Sequence, residues 1–274
     1  MTKSKKIFKH KKISYFHSIN QEVILLFVLI TIVSVYCDFS FKNSNFVLPF
    51  LITTVLSSVT TFLGIPILKK IKLKQIIREE GPKNHFIKQG TPTMGGIFFI
   101  PIGIIISNIL YFNTNNYKII LTLSFLVIFF MFIGFIDDLL SLKKQFNTGL
   151  TSNQKLILQL VISLIFIIIC SSNNLIQNTV QIGNRFIYIG SLIYPLGIFV
   201  LLAESNSTNL TDGLDGLLSG CSALIFTGLA ITILIENPSN IYTLAPLCMV
   251  MAGACMGFLV LNKYPAKLFM GDSG

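Results

Sequence analysis

Five carboxylates in this chain stand where chemistry is most readily built. Asp137 and Asp138 are adjacent, Asp212 and Asp215 sit within NLTDGLDG (209–216), and Asp272 closes NKYPAKLFMGDSG (262–274). On a helix, adjacent residues point about 100° apart. Asp137 and Asp138 therefore do not form a simple two-carboxylate clamp, and a division of labour is expected, with one near a substrate or metal and the other paired with a lysine. Lys143, Lys144 and Lys155 are close in sequence. If NLTDGLDG is helical, Asn209, Asp212 and Asp215 share one face and can bind Mg²⁺ through oxygen or accept hydrogen bonds from a base and sugar. Gly213 and Gly216 would let a planar ligand lie against the backbone. The competing reading is a polar turn, but a turn usually needs one Asp-Gly and not two. A glycine- and proline-rich stretch, GPKNHFIKQGTPTMGG (81–96), adds Lys83, His85 and Lys88. Such loops bring backbone N–H groups close to phosphates, although a basic loop touching headgroups is an equally bland account of it.

Carboxylates without a Cys or His cluster favour a hard cation, Mg²⁺ or Mn²⁺. Lysines beside them favour an anionic, phosphorylated ligand. The combination reads as phosphoryl transfer, in which the protein positions substrates and neutralises charge. No Ser–His–Asp or Cys–His pattern is visible, and the five cysteines form no CxxC. They read as small hydrophobes within apolar runs.

The elements that must position these groups are membrane helices. Hydrophobic residues make up 53% of the 274 and charged residues 12%, with a mean hydropathy of +0.75, which excludes an ordinary soluble enzyme and a disordered chain. A spanning helix needs about 20 mainly apolar residues. Eight stretches come near this: 22–37, 46–68, 94–112, 119–136, 156–170, 186–203, 217–235 and 243–261. The first reads as a span and not as a cleaved leader. With the N-terminus inside, 18 of the 21 basic residues fall on the inner side and Lys42, Lys118 and Arg185 outside, as the positive-inside rule requires. The net charge of +10 is then a bilayer asymmetry, not a case for nucleic acid. All five motif carboxylates fall on the inner side, where ionisable groups at span ends are functional by default.

Taken in order, GPKNHFIKQGTPTMGG, Asp137-Asp138, NLTDGLDGL and NKYPAKLFMGDSG resemble four motifs of the phospho-N-acetylmuramoyl-pentapeptide-transferase family. That family is a branch of the polyprenyl-phosphate N-acetylhexosamine-1-phosphate transferases. The resemblance implies an all-α polytopic bundle of about ten or more spans, each about 20 residues long, of which about eight lie in this chain. It implies Mg²⁺-dependent transfer of phospho-MurNAc-pentapeptide from UDP-MurNAc-pentapeptide to undecaprenyl phosphate, giving lipid I and UMP. The site would lie on the cytoplasmic face of the cell's inner membrane, and the protein would be a homodimer among membrane lipids. By motif position Asp272 resembles the Mg²⁺ ligand. Asp137 and Asp138 resemble an essential pair, one of them deprotonating the lipid phosphate or acting as nucleophile. Lys88, Asn209, Asp212, Gly213, Leu214, Asp215, Asn262 and Phe269 match positions at or near the uridine and diphosphate pocket, with Phe269 placed to stack on uracil.

The departures from the family pattern are specific. Ser141 stands where many members carry Lys, and Glu204-Ser205 where many carry small neutral residues. Members continue past the Asp272 motif into further spans and a histidine-bearing loop. The chain therefore reads as C-terminally incomplete, and the 274 residues by themselves are expected to make no lipid I while a completed chain makes it. Three other functions compete: a sister transferase moving GlcNAc-1-phosphate, an inactive fragment, and an ion-coupled transporter.

Overall fold

The computed structural model describes residues 3–41, 44–71, 91–114, 117–144, 149–183, 185–236 and 244–274, with side chains described from residue 21 onward, except that of Lys144. Its helices are α1 (Lys3–Ser40), α2 (Val47–Lys70), α3 (Gly96–Tyr111), α4 (Tyr117–Lys144), α5 (Ser152–Ser172), α6 (Ile193–Thr211), α7 (Leu217–Glu236) and α8 (Leu244–Asn262). Between α5 and α6 lie two short antiparallel strands, β1 (Thr179–Ile182) and β2 (Arg185–Tyr188), and a 3₁₀ turn, Gly190–Leu192. The all-α membrane bundle expected from hydropathy is present. Six described helices are long and apolar enough to cross a bilayer. The stretch 94–112 forms α3, which has only 16 residues.

Two expectations from the sequence differ from the fold. The stretch 186–203 is not one helix: residues 186–188 belong to β2, and α6 begins at Ile193. Gly183 and Gly190 adopt φ of +59° and +57°, conformations that glycine takes without strain, and they bound the departure from helix. The acidic segment is the second. α6 ends at Thr211 and Asp212 caps it at φ −74°, ψ 42°, so Asn209, Asp212 and Asp215 do not share one helical face. The doubled Asp-Gly is a turn after all, and the candidate residues Asp212 and Asp215 stand in that turn.

The core is organised around α8, whose residues from Ala252 to Leu259 are all buried. Its small residues explain the position, because small residues let helix backbones approach closely in a membrane. A Cβ at Gly253 would lie 2.5 Å from the Phe50 carbonyl of α2. Ser57 Oγ of α2 donates to the Ala254 carbonyl at 2.7 Å. α2 and α7 flank α8 most extensively, and α3 completes its surroundings. Because α8 is held so firmly, the segment that leaves it, 263–274, is delivered to a defined place at the end of the bundle.

Candidate active site

Three helix ends meet at that place. Asp137 and Asp138 lie near the end of α4, Lys155 near the start of α5, and Asn209 near the end of α6. The start of α5 is fixed by a capping box: the Thr151 side chain accepts from Gln154 N at 3.3 Å, and the Gln154 side chain accepts from Thr151 N at 3.0 Å. Lys155 therefore stands in the first turn. Its Nζ donates to Asp272 Oδ2 at 2.5 Å and to Asp137 Oδ2 at 3.3 Å. The other oxygen of Asp137 accepts from Leu150 N at 2.6 Å. Asp138 accepts from Asp272 N at 3.2 Å and Ser273 N at 3.1 Å, so it binds the backbone of the loop that carries Asp272. Of the division expected for the adjacent pair, the lysine pairing falls to Asp137, while Asp138 binds the backbone of a loop.

Glycines allow this convergence. A side chain at Gly134, one turn before Asp137, would collide with the Asp272 carbonyl. Gly271 has φ +74°, and a Cβ there would lie 2.6 Å from Asp138 Oδ2. The loop is also stitched to the residues before α3, since Phe269 N donates to Pro92 O and Gly95 N to Phe269 O, both at 2.9 Å.

Burial by itself would raise the Asp272 carboxyl. The hydrogen bonds with Asp137 and Lys155, the Lys155 charge and a hydrogen bond with Asn209 outweigh it and hold this group below the usual carboxylate range. The Asp272 side chain is 32% exposed, against 13% for Asp137.

The cavity beside this cluster encloses about 1100 Å³. Its polar wall holds Asp137, Asp138, Lys155, Asn209, Asp212, Gly213, Leu214, Asp215, Asn262, Phe269 and Asp272. All the proposed site residues that fall within the described part of the chain thus line it, while Lys88, with Lys83 and His85, lies outside the described residues. Their parts differ. Asn262 is buried, and its Oδ1 accepts from Gly216 N and Ser219 Oγ while its Nδ2 donates to Leu268 O, all at 3.0 Å. It ties the acidic turn to the loop after α8. Asp215 Oδ2 accepts from Ala266 N at 3.0 Å and reinforces the same junction. Ser141 and Glu204 also line the cavity. Farther along, Leu126, Val127, Phe130 and Met131 of α4 continue the wall as apolar surface.

Two residues in this assembly were not singled out by motif reading, Lys155 as a site residue and Gln159. Gln159 is buried between α5 and α6. Its Nε2 donates to Ser205 Oγ, and its Oε1 accepts from Asn206 Nδ2, both at 3.0 Å. The signal for both is local: Thr151-x-x-Gln154 marks a helix start, which puts Lys155 and Gln159 four apart on one face.

A model of glycosyl transferase family 4 matches residues 120–274, and a phospho-N-acetylmuramoyl-pentapeptide-transferase signature matches residues 88–100. A Prochlorococcus marinus (strain NATL2A) protein named phospho-N-acetylmuramoyl-pentapeptide-transferase is 74% identical over 274 residues, covering all of this chain and 74% of that relative. The chain belongs to the phospho-N-acetylmuramoyl-pentapeptide-transferase family. Two other members so named are each 45% identical over 91% of this chain. One is from Synechococcus sp. (strain CC9605), of which 72% is covered, and the other from Prochlorococcus marinus (strain MIT 9301), of which 70% is covered.

Among the described residues no three Asp, Glu, His or Cys side chains converge as a ready-made metal cage. Mg²⁺ rarely needs one, because it is commonly held by one or two carboxylates together with substrate phosphates and water. Asp137 and Asp272 fit that pattern: their oxygens already converge on one cation, the Lys155 ammonium.

Proposed function

We propose that the protein transfers phospho-MurNAc-pentapeptide from UDP-MurNAc-pentapeptide to undecaprenyl phosphate, forming lipid I and releasing UMP. The observation that carries this reading is the Asp137–Lys155–Asp272 cluster at the end of a membrane bundle, in a cavity whose wall passes from charged groups to the apolar flank of α4. A lipid phosphate needs such a junction, with the head at the cluster and the chain along apolar surface. In the reaction an oxygen of the lipid phosphate bonds to the sugar-bearing β-phosphorus. The bond from that phosphorus to the bridging oxygen breaks, and UMP leaves with the electron pair. A covalent intermediate on a carboxylate would divide this into two such displacements.

Each residue has a definite part. Asp138 is committed to two backbone amides, which cannot move away without displacing the Asp272 loop. Asp137 is held in part by a flexible lysine, so it is the member of the pair better placed to face the reacting phosphates. Lys155 can turn from Asp137 toward a phosphate while keeping its closer contact with Asp272. Asp272, with Asp137, would hold Mg²⁺, which would supply charge neutralisation at the diphosphate. Asn209, Asp212, Gly213 and Leu214 offer polar and backbone groups to the nucleotide, and the half-buried Phe269 ring an apolar face to uracil. Lys88 belongs to the same proposed pocket on motif position. The basic-residue asymmetry supports a cytoplasmic site on the inner membrane.

The deciding assay offers UDP-MurNAc-pentapeptide and UDP-GlcNAc separately to the full-length protein, with undecaprenyl phosphate and Mg²⁺, and measures UMP and lipid product. UMP formed with the muramyl substrate and lost in Asp272→Asn is the expected result. Product from UDP-GlcNAc alone would overturn the assignment in favour of the sister transferases.

A further inference from the structure

The β1–β2 hairpin has no part in the site. It joins the ends of α5 and α6 that lie farthest from the cluster, since Lys155 and Asn209 mark the opposite ends of those helices. From Lys155 to Ser172 the helix rises about 26 Å at 1.5 Å per residue, close to the thickness of a hydrocarbon core. The hairpin therefore begins near the far boundary of the bilayer.

Its surface does not suit water. In the observed register Thr179 pairs with Tyr188 and Gln181 with Phe186, which places these four on one face, while Val180, Ile187, Ile182 and Arg185 share the other. A hairpin lying on a protein keeps one face polar. Here both carry large exposed apolar groups: Phe186 (71%) and Tyr188 (73%) on one, Ile182 (64%) and Ile187 on the other. A two-stranded hairpin alone is only marginally stable in water. In the elements that adjoin it, Leu192 of the following turn, Leu196 and Phe199 of α6, and Ile168 near the end of α5 are exposed apolar residues as well. Within residues 171–193 the single charged side chain is Arg185, beside the hairpin turn, and its sign is opposite to that of phospholipid phosphates.

We propose that this hairpin is a membrane anchor, lying in the acyl–headgroup boundary of the far leaflet with Phe186 and Tyr188 among the lipids and Arg185 at the phosphates. Aromatic rings with this placement hold a span at a set depth and tilt. Through α5 and α6 the anchor sets the depth of Lys155 and Asn209 at the other face. The chain contains no tryptophan, so one introduced indole reports alone. Phe186→Trp and Tyr188→Trp are made separately, with Leu164→Trp, midway along the exposed flank of α5, as a reference within the span. Each is reconstituted in phosphatidylcholine–phosphatidylglycerol vesicles with iodide on both sides. For both hairpin variants the expected emission is blue-shifted from free tryptophan, quenched most by lipid brominated near the headgroup and little by iodide. The reference should be quenched best by lipid brominated deep in the chain. Strong iodide quenching without bromolipid quenching would place the hairpin in water and overturn the proposal. So would quenching by neither agent with emission that shifts on dilution of the protein in lipid, which would mean a second copy of the chain covers the patch.

Discussion

Lys155 shows how much one residue decides. Its ammonium answers two carboxylates that would otherwise face each other at close range in a partly desolvated cavity. Lys155→Met is expected to slow UMP release by roughly 10- to 100-fold, the usual cost of removing a group that orients metal-site ligands. An unchanged rate would reduce the lysine to a structural ion pair. Asp272 carries a pH signature. Its carboxyl is held below the ordinary range in the folded protein, so its contribution to stability is fully present above the unfolded value, about pH 4. The contribution is lost as pH falls through the depressed folded value. Melting temperatures of the detergent-solubilised protein should show this: the difference between the parent and Asp272→Asn narrows on acidification. The identity of these carboxylates was legible in the sequence because charged residues are so scarce in an apolar chain. Their partners were not, because Asp272 and Lys155 are 117 positions apart.

The same contrast holds for elements. Hydropathy located the helices because burial in lipid demands continuous apolar length. It also ran one of them into the hairpin, where Phe186, Ile187 and Tyr188 are as apolar as a span and only the backbone turns distinguish strand from helix. The acidic turn after α6 gains its shape from partners elsewhere, Asn262 and Ala266, so local spacing could not disclose it. Gln159 joins α5 to α6 one turn from the cluster, and Gln159→Leu removes its bonds to Ser205 Oγ and from Asn206 Nδ2, which keeps its bond to Leu202 O. The expected cost is about 0.5–1.5 kcal/mol in stability, with UMP release impaired and partial recovery in Gln159→Glu, whose carboxylate can still accept from Asn206. Equal melting temperature and rate in Gln159→Leu would remove its positioning role. Gly134→Ala should displace the Asp272 loop and weaken nucleotide binding, read by titration with UMP, because the added methyl occupies the place of the Asp272 carbonyl.

For the whole molecule, the decisive feature is the seating of α8 against α2 and α7. At Gly253 even a methyl group meets the Phe50 carbonyl, whereas a Cβ at Gly228 of α7 meets nothing within 4 Å. Gly253→Leu is expected to lower stability by about 1–3 kcal/mol or more, and Gly228→Leu to be nearly neutral, in parallel thermal melts. If the two fall together, packing of α8 is not what organises the bundle. If they separate, the path by which 263–274 reaches the ends of α4 and α5 is established, since that segment depends on where α8 is held.

Composition and residue order alone determined that this is a membrane helix bundle, which scarce carboxylates are the candidates for a site, and which family the motifs resemble. Each of those is a local property: apolar length is read along the chain, and a scarce charge is conspicuous wherever it sits. Only the tertiary structure decided that Lys155 stands between Asp137 and Asp272, that Asp138 binds the loop backbone, that Asn262 is a brace, and that the apolar stretch beginning at residue 186 starts as a strand. Those outcomes rest on hydrogen bonds and close packing between segments far apart in sequence. Such contacts are set by the three-dimensional seating of α8, α4 and α5, which no spacing along the chain expresses.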